Sequence, residues 1–229
     1  MTIFQPKTGY RFSLDPIILA AHIHLDPGDR IIDMGCGCGI ICLILGARHQ
    51  DIEITGVEIQ KELAFLAQKN AVQNRLDSRI HILHQDIRNL SGTKITQPVD
   101  IIVSNPPYKK KATGRLNPDP GKALARHEIT LDIAALVDKA ALFVKPGGQL
   151  CLIFPAPRLE ELVLCLRSAG FHPHWIRFVH FKPAAPAGRV LVSAVKSDNV
   201  SCTIRPPLHL YNPDGTPTAE HRRLLAFSC

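Results

Sequence analysis

The segment 30–47 constrains the fold most, because an apolar strand, a glycine loop and an apolar helix follow one another in it without a break. The predicted strand at 30–34 ends in DMGCGCG, and the predicted helix covers 40–47. Alternating glycines let the backbone turn tightly and let a ligand lie against it without obstruction by a Cβ atom. A strand, a glycine loop and a helix in this order predict the binding site of a nucleotide cofactor.

The glycine spacing argues against a dehydrogenase. The loop has the pattern GxGxG, with Asp33 two residues before the first glycine, whereas the dinucleotide-binding fingerprint is GxGxxG. A second strand is predicted at 52–57, and Glu58 follows it 19 residues after Gly39. An acidic residue at about this distance accepts hydrogen bonds from ribose hydroxyls. A solvated strand end is the alternative for Glu58, but its spacing from the glycine loop favours the ribose.

The stretch 99–108, VDIIVSNPPY, predicts a strand buried on both faces that stops at a rigid loop. Ligands of open α/β sheets bind outside the carboxyl ends of the strands. Pro106 and Pro107 fix two φ angles and remove two N–H donors, so the Asn105 amide and nearby carbonyls should face outward as acceptors. Acceptors followed by Tyr108 suit a planar group that carries an NH2. An ordinary turn is the alternative, because Asn-Pro is a common turn signal.

Predicted strands and helices are interspersed along the rest of the chain, and its length suits one α/β domain over all 229 residues. Residues 1–29 precede the sheet, 30–197 form it, and 198–229 are a tail with one turn and one short helix. Asp15 is predicted to cap the first helix. Further strands are expected at 80–83, 149–154, 175–181 and 189–196, and further helices at 61–74, 131–144 and 159–169.

Composition limits the location and the chemistry. No apolar run approaches the roughly 18 residues of a membrane helix, and the N-terminus has no secretion signal, so we expect a soluble, cytoplasmic protein. The seven cysteines form no CxxC pair, and we expect reduced thiols and no metal site.

The formal net charge of +7 indicates an anionic partner, with nucleic acid as the obvious candidate. A basic segment leaves directly from the Asn-Pro-Pro loop, where phosphates of a polynucleotide would lie. A solvated loop without such a partner is the alternative. The residues predicted to bind RNA are Lys109, Lys110, Lys111, Arg115, Lys122 and Arg126.

The order DMGCGCG, Glu58, Asp86, NPPY and an antiparallel strand pair resembles the class I S-adenosylmethionine-dependent methyltransferases that modify exocyclic or amide nitrogens. The segments QPKTGYRFSLDPIILA and ALARHEITLD look like the tRNA1(Val) adenine N6-methyltransferase family. The resemblance implies a Rossmann-like, seven-stranded, mostly parallel sheet of order 3-2-1-4-5-7-6 with helices on both faces. It also implies S-adenosyl-L-methionine as cofactor and, as substrate, a tRNA adenosine next to the anticodon, with the protein a monomer or homodimer.

Residue roles follow from this resemblance by position. The glycines would approach the methionine moiety, Glu58 the ribose, and Asp86 with Ile87 the adenine, while the N-terminal segment would close the cofactor side. The implied cofactor contacts are Arg11, Phe12, Asp15, Asp33, Gly35, Cys36, Gly37, Gly39, Glu58, Ile59, Asp86, Ile87 and Asn105, and the implied catalytic residues are Asn105, Pro106, Pro107 and Tyr108. The alternatives are another planar amine, in ribosomal RNA or a protein glutamine, and a noncatalytic RNA-binding module.

Overall fold

The computed structural model describes residues 1–6, 13–107, 132–198 and 200–226. Within these ranges strands and helices alternate up to the third strand, and a 3-10 turn at Ile87–Asn89 takes the place of a helix between the third and fourth strands. The helices are α1 (Asp15–His22), α2 (Ile40–Arg48), α3 (Lys61–Gln73), α4 (Ile133–Phe143), α5 (Leu159–Ser168) and α6 (Ala219–Ala226). The strands are β1 (Arg30–Met34), β2 (Glu53–Glu58), β3 (Ile80–His84), β4 (Val99–Ser104), β5 (Val144–Pro155), β6 (His172–His180), β7 (Ala187–Val195), β8 (Thr203–Ile204) and β9 (Leu208–His209).

The strands form one sheet of order β3-β2-β1-β4-β5-β7-β6-β8, and β9 also pairs with β6. Strands β1 to β5 are parallel to one another, and β7 runs antiparallel to both β5 and β6. This confirms the predicted order 3-2-1-4-5-7-6. The two short additional strands come from the tail, where runs of two residues carry no periodic signal in the sequence.

Apolar side chains of the sheet pack on both of its faces. In β1, Ile31 belongs to a core cluster shared with α1, α2 and α6, whereas Ile32 belongs to a second cluster shared with α4 and α5. Burial on both faces is typical of a parallel sheet and explains why these strands lack polar alternation. Among the described residues, no helix has the length and the apolar character needed to cross a bilayer.

The largest difference from the predicted elements lies at the start of β5. The sequence predicts a helix over 131–144 and a strand over 149–154, which leaves 145–148 as a turn, but β5 begins at Val144, directly after α4. Val99 pairs with Val144 and Ile101 pairs with Gln149, so residues 145–148 bulge within the strand. A Cβ atom at Gly148 would lie 2.7 Å from the Asp100 carbonyl oxygen. This close approach of two backbones requires glycine and could not be foreseen from a local turn pattern.

Candidate active site

The carboxyl ends of β1 and β4 are joined at the edge of the sheet where the site was predicted. Ser104, the last residue of β4, is fully buried. Its hydroxyl donates a 2.6 Å hydrogen bond to the carbonyl of Met34, the last residue of β1. The glycine loop starts at Gly35 and the Asn-Pro-Pro loop starts at Asn105, so this hydrogen bond brings the two predicted loops together.

Positive φ angles shape the glycine loop. Gly35, Gly37 and Gly39 have φ values of +83°, +58° and +85°, which favour residues without a Cβ atom. At Gly39 a Cβ atom would also approach the Ala67 side chain to 3.2 Å, whereas at Gly35 it would meet nothing within 4 Å. The N–H of Gly35 donates to the Val57 carbonyl oxygen at 2.8 Å, which fixes the loop on β2. The space over Gly35 is therefore open to a ligand on a rigid loop.

Glu58 connects the glycine loop to the start of α3. Its carboxylate is buried, with Oε2 accepting from the Gly37 N–H at 2.9 Å and Oε1 accepting from the Gln60 N–H at 2.8 Å. A carboxylate offers about four lone-pair directions, so each oxygen keeps one for a hydroxyl group. Ile59 follows with a 38% exposed apolar side chain, and its carbonyl oxygen lies 3.0 Å from His84 Nε2. Glu58 and Ile59 together offer a carboxylate acceptor beside an exposed apolar side chain, which suits a nucleoside.

Asp86 uses both carboxylate oxygens on Arg88. The Arg88 guanidinium donates to Oδ1 and Oδ2 at 2.6–3.1 Å, and its backbone N–H donates to Oδ1 at 2.9 Å. These hydrogen bonds lower the pKa of Asp86. Asp86 and Ile87 were both expected near the adenine, and because the Asp86 carboxylate is engaged by Arg88, the backbone at Ile87 is the better candidate for this contact.

Asp33 is a buried carboxyl group with one oxygen lacking a partner. The Cys42 thiol donates to Oδ2 at 3.3 Å, and Oδ1 is buried with no hydrogen-bond partner. Burial raises the pKa of Asp33 to about 7, and the charge of Glu58 acts in the same direction. The side chains of Cys36, Cys38 and Cys42 are buried, and none of the three forms a disulfide. This agrees with the reduced state that we expected for them.

The Asn-Pro-Pro loop follows β4 without an intervening residue. Asn105 is half-buried, Pro106 is buried and Pro107 is exposed. Their predicted catalytic role stays a prediction. Tyr108, the basic segment 109–126, and Arg11 with Phe12 lie outside the described residues.

The prediction that Asp15 caps α1 is wrong. Leu14 occupies the cap position and makes no side-chain cap hydrogen bond, while Asp15 lies in the first turn. The Asp15 carboxylate accepts a 2.8 Å hydrogen bond from Arg189 Nε. In the strand register, Arg189 pairs with Pro155 at the carboxyl end of β5. Asp15 therefore forms an ion pair instead of a helix cap. This contact holds Asp15 near the carboxyl end of β5, the strand next to the one that Asn105 follows.

Sequence reasoning missed Asn70, which is fully buried on α3. Its Oδ1 accepts from the Phe4 N–H at 2.7 Å, and its Nδ2 donates to the carbonyl oxygens of Phe4 at 3.0 Å and Cys38 at 2.9 Å. Asn70 thus joins the N-terminal segment to the glycine loop. The available signal was a single asparagine within the apolar stripe formed by Leu63, Ala67 and Ala71.

Comparison with known proteins places the chain in a family. A family model described as the methyltransferase small domain matches residues 15–159, which is more than half of the chain. The chain belongs to this family. The matched region contains β1 to β5, and with them the glycine loop, Glu58 and the Asn-Pro-Pro loop.

Individual relatives agree with this assignment. The chain is 33% identical over 171 residues to a protein of Tolumonas auensis named tRNA1(Val) (adenine(37)-N6)-methyltransferase, with 74% of this chain and 70% of the relative covered. It is 29% identical over 224 residues to a protein of the same name from Proteus mirabilis, with 95% of this chain and 86% of the relative covered. The predicted resemblance is confirmed.

A solved structure supports the fold. The structure of a predicted O-methyltransferase from Agrobacterium tumefaciens matches with a TM-score of 0.75 over 94% of this chain and 97% of that chain, at 23% identity. At this identity the likeness concerns the fold alone, and it confirms the Rossmann-like methyltransferase architecture.

The cofactor of this methyltransferase small domain is S-adenosyl-L-methionine, as predicted. The residues present fit it. The partnerless Asp33 Oδ1, the open space over Gly35 and the remaining acceptor directions of Glu58 lie along one sheet edge. Within the described ranges, no group of three or more His, Cys, Asp or Glu side chains is arranged to hold a metal ion.

Proposed function

We propose that this methyltransferase transfers a methyl group from S-adenosyl-L-methionine to the exocyclic N6 of an adenosine in tRNA, the one next to the anticodon of a valine tRNA. The observation that carries the proposal is the position of Asn105. It directly follows Ser104, whose hydroxyl donates a hydrogen bond to the carbonyl oxygen of Met34, the residue before the glycine loop. The names of the relatives supply the substrate, because they specify adenine 37 of tRNA1(Val).

Asn105 and its loop supply the acceptors that the reaction needs. The N6 lone pair of adenine is delocalised into the ring, so the amino group is a weak nucleophile. The Asn105 amide oxygen and the Pro106 carbonyl oxygen accept the two N6 hydrogens, which orients the nitrogen and concentrates its electron density. Pro106 and Pro107 hold these acceptors in place, because each has a fixed φ angle.

S-adenosyl-L-methionine, when bound, supplies an electrophilic methyl group on a sulfonium sulfur. Held by the glycine loop and Glu58, it would give this methyl group to N6 while the carbon–sulfur electron pair stays on sulfur. N6 then releases one proton to solvent water, while the acceptors on the Asn105 loop keep it oriented by hydrogen bonds. This scheme requires no nucleophilic cysteine, in agreement with the burial of Cys36 and Cys38.

Tyr108 and the basic segment complete the proposal. The target base must leave its stack before N6 can reach Asn105, and an unpaired base of an anticodon loop does so at low cost. Tyr108 then stacks on the extruded base, and the cations of 109–126 contact phosphates. Arg11, Phe12 and Asp15 close the cofactor side. We place the protein in the cytoplasm as a monomer or homodimer.

The experiment uses an unmodified transcript of Proteus mirabilis tRNA1(Val) and labelled S-adenosyl-L-methionine. A second transcript carries guanosine in place of adenosine 37, the position in the relative's name. We expect label in the first transcript and none in the second. Equal labelling of both would contradict the assigned nucleotide. Absence of label from both transcripts would contradict tRNA as the substrate.

A further inference from the structure

The hairpin of β6 and β7 extends past the end of β4 on the side of the sheet edge that holds Asn105. Strand register aligns Ser104 with Leu152, Leu152 with Val192, and Val192 with Ile176. Beyond this row β5 continues to Pro155 and β6 continues to His180. Three strand spacings separate β4 from β6, which is about 14 Å. The hairpin therefore stands beside the proposed active site, within reach of nucleotides that flank the target.

Phe181, directly after β6, presents an aromatic ring on this hairpin. Its side chain is 60% exposed. The ring stacks obliquely on Tyr211, with centroids 4.6 Å apart and an interplanar angle of 40°. Tyr211 is fixed in turn, because its N–H donates to the Phe181 carbonyl oxygen at 2.9 Å and its ring lies nearly perpendicular to that of His221, with ring centroids 5.0 Å apart. An exposed ring on a rigid support offers a ready stacking surface at low entropic cost.

Two cationic side chains lie on the same hairpin as the Phe181 ring. Lys182 is adjacent to it and exposed, and Arg189 lies near the start of β7, the other strand of the hairpin, where it pairs with Asp15. The Asp214 carboxylate lies near Lys182, and its pKa is lowered mainly by hydrogen bonds from Thr216 and in part by the Lys182 charge. Aromatic rings next to exposed cations are the arrangement by which proteins bind unpaired nucleotides without reading their sequence.

We propose that Phe181, supported by Tyr211, stacks on an unpaired nucleotide next to the target adenosine, while Lys182 contacts its phosphate. The proposal rests on the proposed function for the identity of the RNA. It adds a second point of contact, three strand spacings (about 14 Å) across the sheet from β4 and further along β6 than the row of Ser104, that holds the anticodon loop open beside the catalytic loop. Burial of Phe181 against RNA also explains why a large apolar ring is exposed in the free protein.

The test measures binding of a fluorescently labelled RNA hairpin with the tRNA1(Val) anticodon arm sequence to the full chain. We compare the parent with Phe181→Ala, Phe181→Leu and Phe181→Trp. Phe65→Ala is the matched control, because Phe65 is 69% exposed on α3, away from the hairpin. Methyl transfer to the tRNA transcript and calorimetric binding of S-adenosyl-L-methionine are measured on the same samples.

Loss of a stacked base predicts about tenfold weaker RNA binding for Phe181→Ala and a similar increase in the KM for tRNA. Phe181→Leu should bind RNA as weakly as Phe181→Ala, whereas Phe181→Trp and the control Phe65→Ala should bind RNA with the affinity of the parent. The kcat and the affinity for the cofactor should stay unchanged, which separates a contact with RNA from a structural defect.

The outcomes distinguish this inference from the proposed function. If the parent methylates tRNA and Phe181→Ala binds RNA as tightly as the parent, the inference is overturned and the function stands. If RNA binding depends on Phe181 but no adenine is methylated, the inference stands and the function fails. If the parent does not bind the RNA at all, both are overturned, and a protein partner would be the next occupant to test.

Discussion

The hydroxyl of Ser104 donates a 2.6 Å hydrogen bond to the carbonyl of Met34, across 70 residues of sequence. Both residues are fully buried, and each is the last residue of its strand. In the proposed function, the loop after Met34 holds the cofactor and the loop after Ser104 holds the acceptors for the target base. One side-chain hydrogen bond would then help to fix the distance between the methyl donor and the nitrogen that receives it.

Ser104→Ala should impair catalysis as well as stability. The variant leaves the buried Met34 carbonyl without this donor, which costs about 1–3 kcal/mol in the free energy of unfolding. Because the two loops lose a shared constraint, we also expect a lower kcat. Ser193→Ala is the matched control, since Ser193 is an equally buried serine in β7 that donates to Gln149. Urea unfolding and methyl transfer are measured on both. Equal effects of the two substitutions on kcat would refute a specific role for Ser104.

Glu58→Gln should weaken cofactor binding by about tenfold or more. The variant keeps an amide oxygen for one of the two backbone donors, Gly37 or Gln60, but loses the second acceptor and the charge that attracts ribose hydroxyls. Isothermal titration with S-adenosyl-L-methionine measures the change. Glu53→Gln, at the exposed start of the same strand, should bind as the parent does. An unchanged affinity in Glu58→Gln would exclude Glu58 from the cofactor site.

Asp33 should make stability fall as the pH rises towards neutrality. Below its ordinary pKa of 3.8 the carboxyl is protonated in both states, and between this value and about 7 the unfolded chain loses a proton that the folded protein keeps. The free energy of unfolding therefore decreases over this interval, by up to about 4 kcal/mol, and changes no further above it. Asp33→Asn should remove this part of the pH dependence.

The measurement for Asp33 is urea unfolding at several pH values, without cofactor. Asp198→Asn serves as control, because the Asp198 side chain is fully exposed. The difference in unfolding free energy between Asp33→Asn and the parent should grow with pH between about 4 and 7. A constant difference across this interval would mean that the Asp33 carboxyl titrates in the folded protein as it does in the unfolded chain.

Asn70→Ala should loosen the N-terminal segment and the glycine loop together. The substitution removes hydrogen bonds to Phe4 and to the Cys38 carbonyl, so we expect a loss of about 1–3 kcal/mol in stability and weaker cofactor binding. Asn74→Ala removes only contacts with Thr2 and its own helix, and should leave cofactor affinity unchanged. Isothermal titration with S-adenosyl-L-methionine measures the cofactor affinity of both variants. Equal affinity for the cofactor in both would contradict the coupling.

Periodicity and loop chemistry predicted the parallel core well. The glycine loop, Glu58 and Asn105 each follow an apolar run, and parallel strands bring such loops to one edge whatever the details of packing. The strand order beyond this rested on the family resemblance. Element ends mostly differ from the predicted ones by up to three residues, because helix and strand ends depend on a few hydrogen bonds.

Contacts between distant segments could not be predicted. Asp15 had the local features of a helix cap, but its partner Arg189 lies 174 residues away. Asn70 looked like a neutral helix residue, and only the fold shows that it reaches Phe4 and Cys38. The Phe181 ring attracted no attention in the sequence, because its exposure and its support by Tyr211 arise from pairing between the hairpin and the tail.

The most direct measurement is nucleoside mass spectrometry of unmodified tRNA after incubation with S-adenosyl-L-methionine and either the parent protein or Asn105→Ala. Cofactor binding is measured on both proteins. We predict N6-methyladenosine with the parent, and its loss with Asn105→Ala while the cofactor still binds within about tenfold of the parent affinity, since the variant removes one acceptor for the target amine. A different methylated nucleoside, or undiminished N6-methyladenosine with Asn105→Ala, would contradict the account.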